Sequence, residues 1–216
     1  MKIKYLLAPL LLMSTSTAIL AEATYPVENP NLMYGAYVAA NLGYAWIPYQ
    51  HNIGNSTTAL QTPATQTLSW SNGNGGFVWG GDVGYQFNRN LAVEFGAFRF
   101  PITTAKVSST QQQFNRFSSW TIFTDMKFIA PVFEQFAIFA KAGAAYYMMN
   151  AHPLNATAKQ NDNQLVPMFA VGTSYAFRNS VVLDLTYTHL GSNYTPGITL
   201  PDVSALTAGI GYKFES

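Results

Sequence analysis

Apolar and polar residues alternate along eight segments of the chain, and the last segment shows the pattern most clearly. In residues 205–214 every second side chain is apolar, and the residues between them are small or polar. Because a β-strand sends successive side chains to opposite faces, this pattern predicts a strand with one apolar face. The same pattern predicts eight strands in all, at 34–46, 76–87, 91–99, 119–130, 135–149, 165–177, 181–190 and 205–214.

The connections between the predicted strands alternate between long and short. Tight turns such as Asn88-Arg89-Asn90 alternate with long polar stretches that show no clear period and are predicted to be loops. Membrane barrels have short periplasmic turns and long outer loops, so an eight-stranded antiparallel up-and-down transmembrane β-barrel is predicted. In lipid an open sheet edge would leave backbone groups unsatisfied, so the last strand is expected to pair with the first. The predicted loops are 47–75, 101–118, 150–164 and 191–202.

The large apolar face is expected to meet lipid, while the opposite face lines a narrow lumen. That opposite face is mostly Gly, Ala, Ser and Thr with isolated charges, which suits a small barrel interior. Aromatic residues collect at both strand ends, as at the two interfaces of a membrane. A soluble barrel with these aromatic residues in its core is the alternative. The two groups are Tyr34, Tyr85, Phe87, Phe128, Tyr175, Phe177, Tyr212 and Phe214 near the short turns, and Trp46, Trp79, Trp120, Tyr146 and Tyr187 near the loops.

The composition narrows the class of protein further. Only 10% of the residues are charged, against about 25% in soluble domains. An interior apolar run of about 18 residues, which a membrane-spanning helix needs, does not occur. A net charge of +1 gives no reason to expect nucleic acid as a partner. With no cysteine and three scattered histidines, we expect neither a metal site nor a cofactor, and no catalytic residues are assigned.

The amino-terminal residues carry the features of a cleaved signal peptide. Lys2 and Lys4 precede a short apolar run, and Ala21-Glu22-Ala23 fits the small-x-small cleavage pattern. The expected organisation is therefore a signal peptide at 1–23, a periplasmic lead-in at 24–33 and the barrel at 34–216. Cleavage after Ala21 is the alternative.

Six charged residues fall on the predicted inner face. Isolated charges in a confined interior are costly, so these side chains are expected to form an ion-pair network that fills the lumen. Because acids outnumber bases, a narrow cation-preferring pore is the alternative. The six residues are Asp82, Glu94, Asp125, Lys127, Lys141 and Asp184.

The segment from Thr188 to Asn193 contains His189 and Ser192 and loosely resembles the His/Ser region of outer-membrane lipid A deacylases. In that family the two residues stand two apart on one strand face, whereas here they stand three apart and alternate to opposite faces. A histidine at the membrane interface is therefore expected, and a lipid A-modifying enzyme is the third hypothesis.

The last strand also carries a family resemblance. Its apolar stripe is similar to the terminal pattern of small outer-membrane β-barrels, which include the OmpA transmembrane domain and opacity-type surface proteins. The resemblance implies that the barrel assembly machinery reads this stripe, and that the protein resides in the outer membrane of a Gram-negative bacterium among lipid and lipopolysaccharide. We further expect a monomeric scaffold whose four loops meet host or environmental ligands, because loops on a rigid scaffold are where binding residues concentrate. The stripe consists of Leu206, Ala208, Ile210, Tyr212 and Phe214.

Overall fold

The structure, a computed structural model, describes seven parts of the chain: 34–48, 68–71, 74–107, 113–153, 160–177, 180–191 and 202–214. Within these parts the regular structure consists of ten β-strands, and a helix able to cross a membrane is not found there. The predicted signal peptide and lead-in, 1–33, lie outside the described residues. The strands are β1 (Gly35–Trp46), β2 (Leu68–Ser71), β3 (Gly76–Asn88), β4 (Leu91–Arg99), β5 (Thr103–Val107), β6 (Gln113–Pro131), β7 (Phe136–Pro153), β8 (Gln160–Ala176), β9 (Val181–Leu190) and β10 (Val203–Lys213).

Eight of these strands form a closed antiparallel barrel. Around the barrel the order is β1, β3, β4, β6, β7, β8, β9 and β10, and β10 returns to β1. The closing seam is regular over ten residue pairs, from Tyr37 opposite Lys213 to Trp46 opposite Ser204. The predicted fold and the predicted closure between the first and last strands are therefore confirmed.

The two remaining strands correct the prediction that the long polar stretches are loops. Strands β2 and β5 lie inside the stretches 47–75 and 101–118, and β6 already begins at Gln113. Likewise β7 continues to Pro153 and β8 starts at Gln160, inside the predicted loop 150–164. Beyond the lipid both faces of a strand can meet water, so these extensions need no apolar alternation. Sequence alternation therefore could not reveal them.

The outer face is apolar as predicted, which excludes the soluble barrel. Large side chains such as Leu42, Phe77 and Ile210 are between 56% and 60% exposed on the barrel exterior. The aromatic residues of both girdles also face outward, with Trp79 at 55% and Tyr212 at 48% exposed. A surface this rich in exposed aromatic and aliphatic side chains is stable in lipid and not in water.

The inner face differs from the prediction that small residues would dominate it. Phe98, Phe123 and Tyr147 point inward and are almost completely buried. Glycines on the same face make room for other large inward side chains, since a Cβ atom at Gly84 would collide with the ring of Tyr37. Small inner residues thus alternate with large ones, and buried apolar side chains fill the loop-side half of the lumen.

Candidate functional site

The predicted interior charges meet at Glu94, at the centre of the lumen. Strand β4 carries Glu94 inward, and its side chain is 1% exposed. The Nζ atom of Lys127 lies 3.3 Å from one carboxylate oxygen, and Lys141 forms an ion pair with the other. Lys127 also binds Asp184 across the barrel, at 3.2 Å. One glutamate and one aspartate therefore share two lysines that come from β6 and β7.

Neutral and aromatic groups complete the surroundings of these ion pairs. The hydroxyl of Tyr37 donates a hydrogen bond of 2.5 Å to Glu94, and the amide of Asn41 donates one of 2.6 Å to Asp82. The ring of Phe139 faces both lysines, with Nζ of Lys127 4.3 Å from its centroid. Cation–π contact and charged hydrogen bonds replace part of the water that these groups lose on burial.

The strand register places like charges side by side within the cluster. Glu94 lies directly opposite Asp125 on β6, and Lys127 lies directly opposite Lys141 on β7. Like charges in such cross-strand positions repel each other. The cluster is therefore held together by its diagonal pairs, in which each lysine reaches Glu94.

Asp125 is the exception among the six predicted residues. Its side chain is 3% exposed, and both carboxylate oxygens are buried without a hydrogen-bond partner among the described residues. The structure thus joins Glu94, Lys127, Lys141 and Asp184 through ion pairs, and Asp82 is satisfied by Asn41. Since burying a carboxylate without a hydrogen-bond partner is costly, Asp125 is the member of the cluster whose burial costs the most free energy.

An apolar plug fills the loop-side half of the lumen, a feature that the sequence reasoning missed. Phe98 and Phe123 stack with their ring centroids 5.2 Å apart, and Phe100 lies 5.8 Å from Tyr147. The alternation already placed Phe98 and Phe123 on the inner face, which was the signal that could have found the plug. Its other members, all buried, are Ala45, Ile47, Val78, Phe117, Ala145, Met149, Val166, Met168, Leu190, Val203 and Ala205.

On the short-turn side the charged cluster borders an open cavity. Lys127, Asp184 and Lys213 line it together with apolar groups from the β6–β7 turn. The ammonium group of Lys213 donates a hydrogen bond of 2.7 Å to Gln86, next to the mouth. The charged half of the lumen is thus reached from the short-turn end, while the apolar plug lies between it and the loops.

His189 lies outside the lumen, on the lipid-facing side of the loop-end rim. Its Nδ1 atom is 3.1 Å from the hydroxyl oxygen of Ser204, which also accepts a hydrogen bond of 3.1 Å from Tyr187. Ser192 lies outside the described residues. Within the described residues no group of three His, Cys, Asp or Glu side chains could hold a metal ion.

The terminal stripe lies on the lipid-facing side of the closing strand. Leu206, Ala208, Ile210 and Tyr212 are exposed along β10, and Phe214 follows on the same face. The rings of Tyr212 and Phe214 meet edge to face, with their centroids 5.3 Å apart. The role of this stripe as an assembly signal stays a prediction.

Comparison with known proteins gives a family and a set of similar structures. A family model described as the OmpA-like transmembrane domain matches residues 34–216. No curated protein sequence matches the chain.

Among solved structures, Neisserial surface protein A is similar at 18% identity, with a TM-score of 0.58, covering 83% of this chain and 97% of that one. OprG from Pseudomonas aeruginosa is similar at 12% identity, with a TM-score of 0.57, covering 85% and 98%. AlkL, determined in lipid bilayers, is similar at 17% identity, with a TM-score of 0.56, covering 89% and 96%. At these identities the likeness concerns the fold.

Proposed function

The chain belongs to the OmpA-like transmembrane domain family of outer-membrane β-barrels, and from this premise we propose that it is a non-conducting surface scaffold. The barrel anchors the chain in the outer membrane of a Gram-negative bacterium and holds four loop segments toward the outside. These loops meet host or environmental ligands, and the barrel itself carries no catalytic site. Loops held on a rigid scaffold are where binding residues concentrate in proteins generally.

The observation that carries this proposal is the apolar plug. The inward-facing rings of Phe98, Phe100, Phe123 and Tyr147, from the neighbouring strands β4, β6 and β7 and the residue after β4, pack against one another and are all at most 8% exposed. A dry apolar constriction blocks ions because they cannot keep their hydration shell within it. The charged cluster below the plug is held mainly by mutual ion pairs, as in a structural network.

Planar-bilayer recording of the purified protein tests the closed lumen directly. We expect no stepwise conductance from the unaltered chain, and a sustained ion-selective conductance would overturn the proposal. Outer-membrane fractionation followed by heat-modifiable gel migration tests the anchoring, because a folded barrel migrates differently from the boiled chain.

The interaction role is tested by shortening the loops one at a time. Replacing residues 50–66 with a short Gly-Ser linker removes most of the first loop and leaves every described barrel strand intact. We expect heat-modifiable migration to persist while adhesion of the expressing cells to cultured epithelial cells falls. Unchanged adhesion after all four loops have been shortened would remove the interaction role.

A narrow cation-preferring pore is the second candidate, and the surplus of acids in the lumen favours it. Four carboxylates, from Asp82, Glu94, Asp125 and Asp184, face two lysines in the central cluster. A cation path would have to cross the plug, so the double variant Phe98→Ala, Phe123→Ala is informative. If only the plug prevents conduction, this variant should pass cations, whereas silence in the variant would discard the pore.

Lipid A modification is the third hypothesis and the least supported. His189 does meet a serine hydroxyl, at Ser204, but an acidic group that would orient the imidazole is not recorded beside it among the described residues. Nucleophilic catalysis generally requires such an orienting partner. An altered lipid A on expression, lost in His189→Ala, would revive the hypothesis.

We further propose that the protein is a monomer which the barrel assembly machinery inserts by reading the terminal stripe. The stripe has the required exposure, since Ile210 and Tyr212 are 56% and 48% exposed on the outer face. Replacing Tyr212 and Phe214 together with serine should leave unfolded chain in the periplasm. Normal outer-membrane levels of that variant would contradict the assigned signal.

A further inference from the structure

An apolar wall lines the open cavity at the short-turn end of the lumen. Phe133, in the β6–β7 turn, lines this cavity and is 74% exposed, and its ring centroid lies 6.5 Å from that of Phe136. Ile129 and Val182 line the same cavity from β6 and β9. The short turns of a membrane barrel lie in the periplasm, so covering this wall with another apolar group would be favourable.

Lys213 brings a positive charge into the same cavity. From β10 its ammonium group donates a hydrogen bond of 2.7 Å to the neutral side chain of Gln86. Asp184 also lines the cavity, but it is paired with Lys127 at 3.2 Å. Glu134 lies on the rim, and an ion pair between it and Lys213 is not recorded among the described residues. A half-buried ammonium group without an anionic partner is costly, so a further carboxylate would stabilise the mouth of the cavity.

The lead-in, residues 24–33, joins the barrel beside this mouth. Strand β1 begins at Gly35, which lies opposite Gln86, and Lys213 lies opposite Tyr37 on the other side of β1. Gly35 has a φ of 127°, which residues with a Cβ atom rarely adopt, so the backbone departs from regular strand geometry here. The lead-in therefore reaches the barrel at the edge of the cavity.

The sequence of the lead-in carries the groups that would complement the cavity. Glu28 is its one charged residue, and Tyr25, Val27 and Leu32 are apolar. Both predicted cleavage sites precede residue 24, so the mature chain keeps all of these residues. The stretch from Glu28 to Gly35 can span about 23 Å, whereas a barrel of eight tilted strands is about 16 Å across. Glu28 can therefore reach any point of the mouth.

We propose that the lead-in folds back over the short-turn mouth and closes it, with the carboxylate of Glu28 paired to the ammonium group of Lys213. Its apolar residues cover Phe133 and Val182. The lumen is then closed at both ends, by the apolar plug on the loop side and by the lead-in on the short-turn side. The occupant of the cavity is thus a segment of this same chain, and its docking does not depend on what the loops bind.

The accessibility of a single cysteine inside the cavity tests the closure. The chain has no cysteine, and Ser174→Cys places one on the cavity wall. A small water-soluble methanethiosulfonate reagent should label it slowly in the refolded protein. Replacing residues 25–31 with a Gly-Ser segment of equal length should accelerate labelling at least about tenfold, because an undocked state populated to about 10% or less limits the rate in the parent. Arg89→Cys, in the exposed β3–β4 turn, is the control, and its labelling rate should be the same in both chains.

A double-mutant cycle tests the ion pair. Glu28→Gln and Lys213→Gln should each lower the urea midpoint of unfolding in lipid vesicles. The double variant should lower it no further than one substitution alone, because both remove the same contact. Exchanging the two charges, with Glu28→Lys and Lys213→Glu, should recover most of the loss. Glu134→Gln is the matched control, since it removes another acid at this mouth and its effect should simply add to that of Lys213→Gln.

Heat-modifiable migration verifies that each variant is folded, and the labelling experiment needs no change at Lys213. Three results would overturn the proposal. Equal labelling of Ser174→Cys with and without the natural residues 25–31 would show that the lead-in does not close the cavity. Additive effects of Glu28→Gln and Lys213→Gln would show that the two charges do not meet. Coupling of Lys213→Gln to Glu215→Gln in place of Glu28→Gln would assign the mouth to the residues that follow β10.

Discussion

The two halves of the lumen bury their side chains by different means. On the short-turn side, Lys127 and Lys141 are held by Glu94, so each charge depends on a partner from another strand. On the loop side, Phe98 and Phe123 are stabilised by apolar packing, which depends on how well their rings fill the space between neighbouring side chains. Removing an ion-pair partner should therefore reduce the free energy of unfolding most in the charged half. Shortening an aromatic side chain should leave a cavity in the apolar half. Four substitutions, ordered from the largest expected effect to the smallest, test this contrast.

Glu94→Ala should cause the largest loss, because it leaves both lysines without their shared carboxylate. Breaking a buried ion pair costs about 3–5 kcal/mol, and a value of about 5 kcal/mol is expected here. Urea unfolding of the refolded barrel in lipid vesicles measures the change. Glu134→Ala, in an exposed turn, is the control and should change stability by less than about 0.5 kcal/mol. If Glu94→Ala is no worse than Glu134→Ala, the central role of Glu94 is wrong.

Phe123→Ala should cost about 3–4 kcal/mol, because it leaves a cavity in the apolar plug. The control is Phe95→Ala, which removes the same ring from the lipid-facing side of the neighbouring strand, where Phe95 is 56% exposed. Lipid can fill that space, so the control should lose clearly less stability in the same unfolding assay. Equal losses would mean that the inner ring is not packed more tightly than the outer one.

Lys141→Ala should lower barrel stability by about 2 kcal/mol, the scale of one hydrogen bond to a charged group. The loss is smaller than for Glu94→Ala because Lys127 still neutralises Glu94, and because the repulsion between the two adjacent lysines disappears. Lys141→Met is a useful companion, since it keeps the length of the side chain without its charge. An unchanged free energy of unfolding in detergent for both variants would contradict this assignment.

Asp125→Asn should have the smallest effect and the opposite sign, a gain of about 1 kcal/mol. The substitution removes a buried negative charge that faces Glu94 across the strands and has no hydrogen-bond partner among the described residues. Asp184→Asn, by contrast, breaks the recorded ion pair with Lys127 and should destabilise the barrel. A destabilised Asp125→Asn variant would show that Asp125 contributes favourably to the cluster.

The outer face of the barrel was predictable because it depends only on strand alternation. The lipid-facing position of residues such as Leu206 and Tyr212 can be predicted without knowing their neighbours, since the whole barrel exterior is one apolar environment. The closure of the barrel followed from the same argument, because lipid does not tolerate an open sheet edge. The same alternation put the six charged residues on the face opposite the apolar one.

The partners inside the lumen could not be predicted, since they depend on strand register and on distances across the barrel. Tyr37 and Glu94 are 57 residues apart and come from strands that are not adjacent, and Lys127 meets Asp184 in the same way. Alternation also placed Phe98 and Phe123 inside, but only the width of the lumen decides whether such rings fill it. The polar strands β2 and β5 lacked the apolar period by which the others were recognised.

The seam between β1 and β10 has a consequence for how the molecule is made. Because synthesis runs from the amino to the carboxyl end, the edge of the first strand has no partner until β10 has been synthesised. Closure of the barrel therefore cannot be completed before the last strand has been made. A premature stop codon before β10 would leave two edge strands with unpaired backbone groups. The product should aggregate and should not close into a smaller barrel.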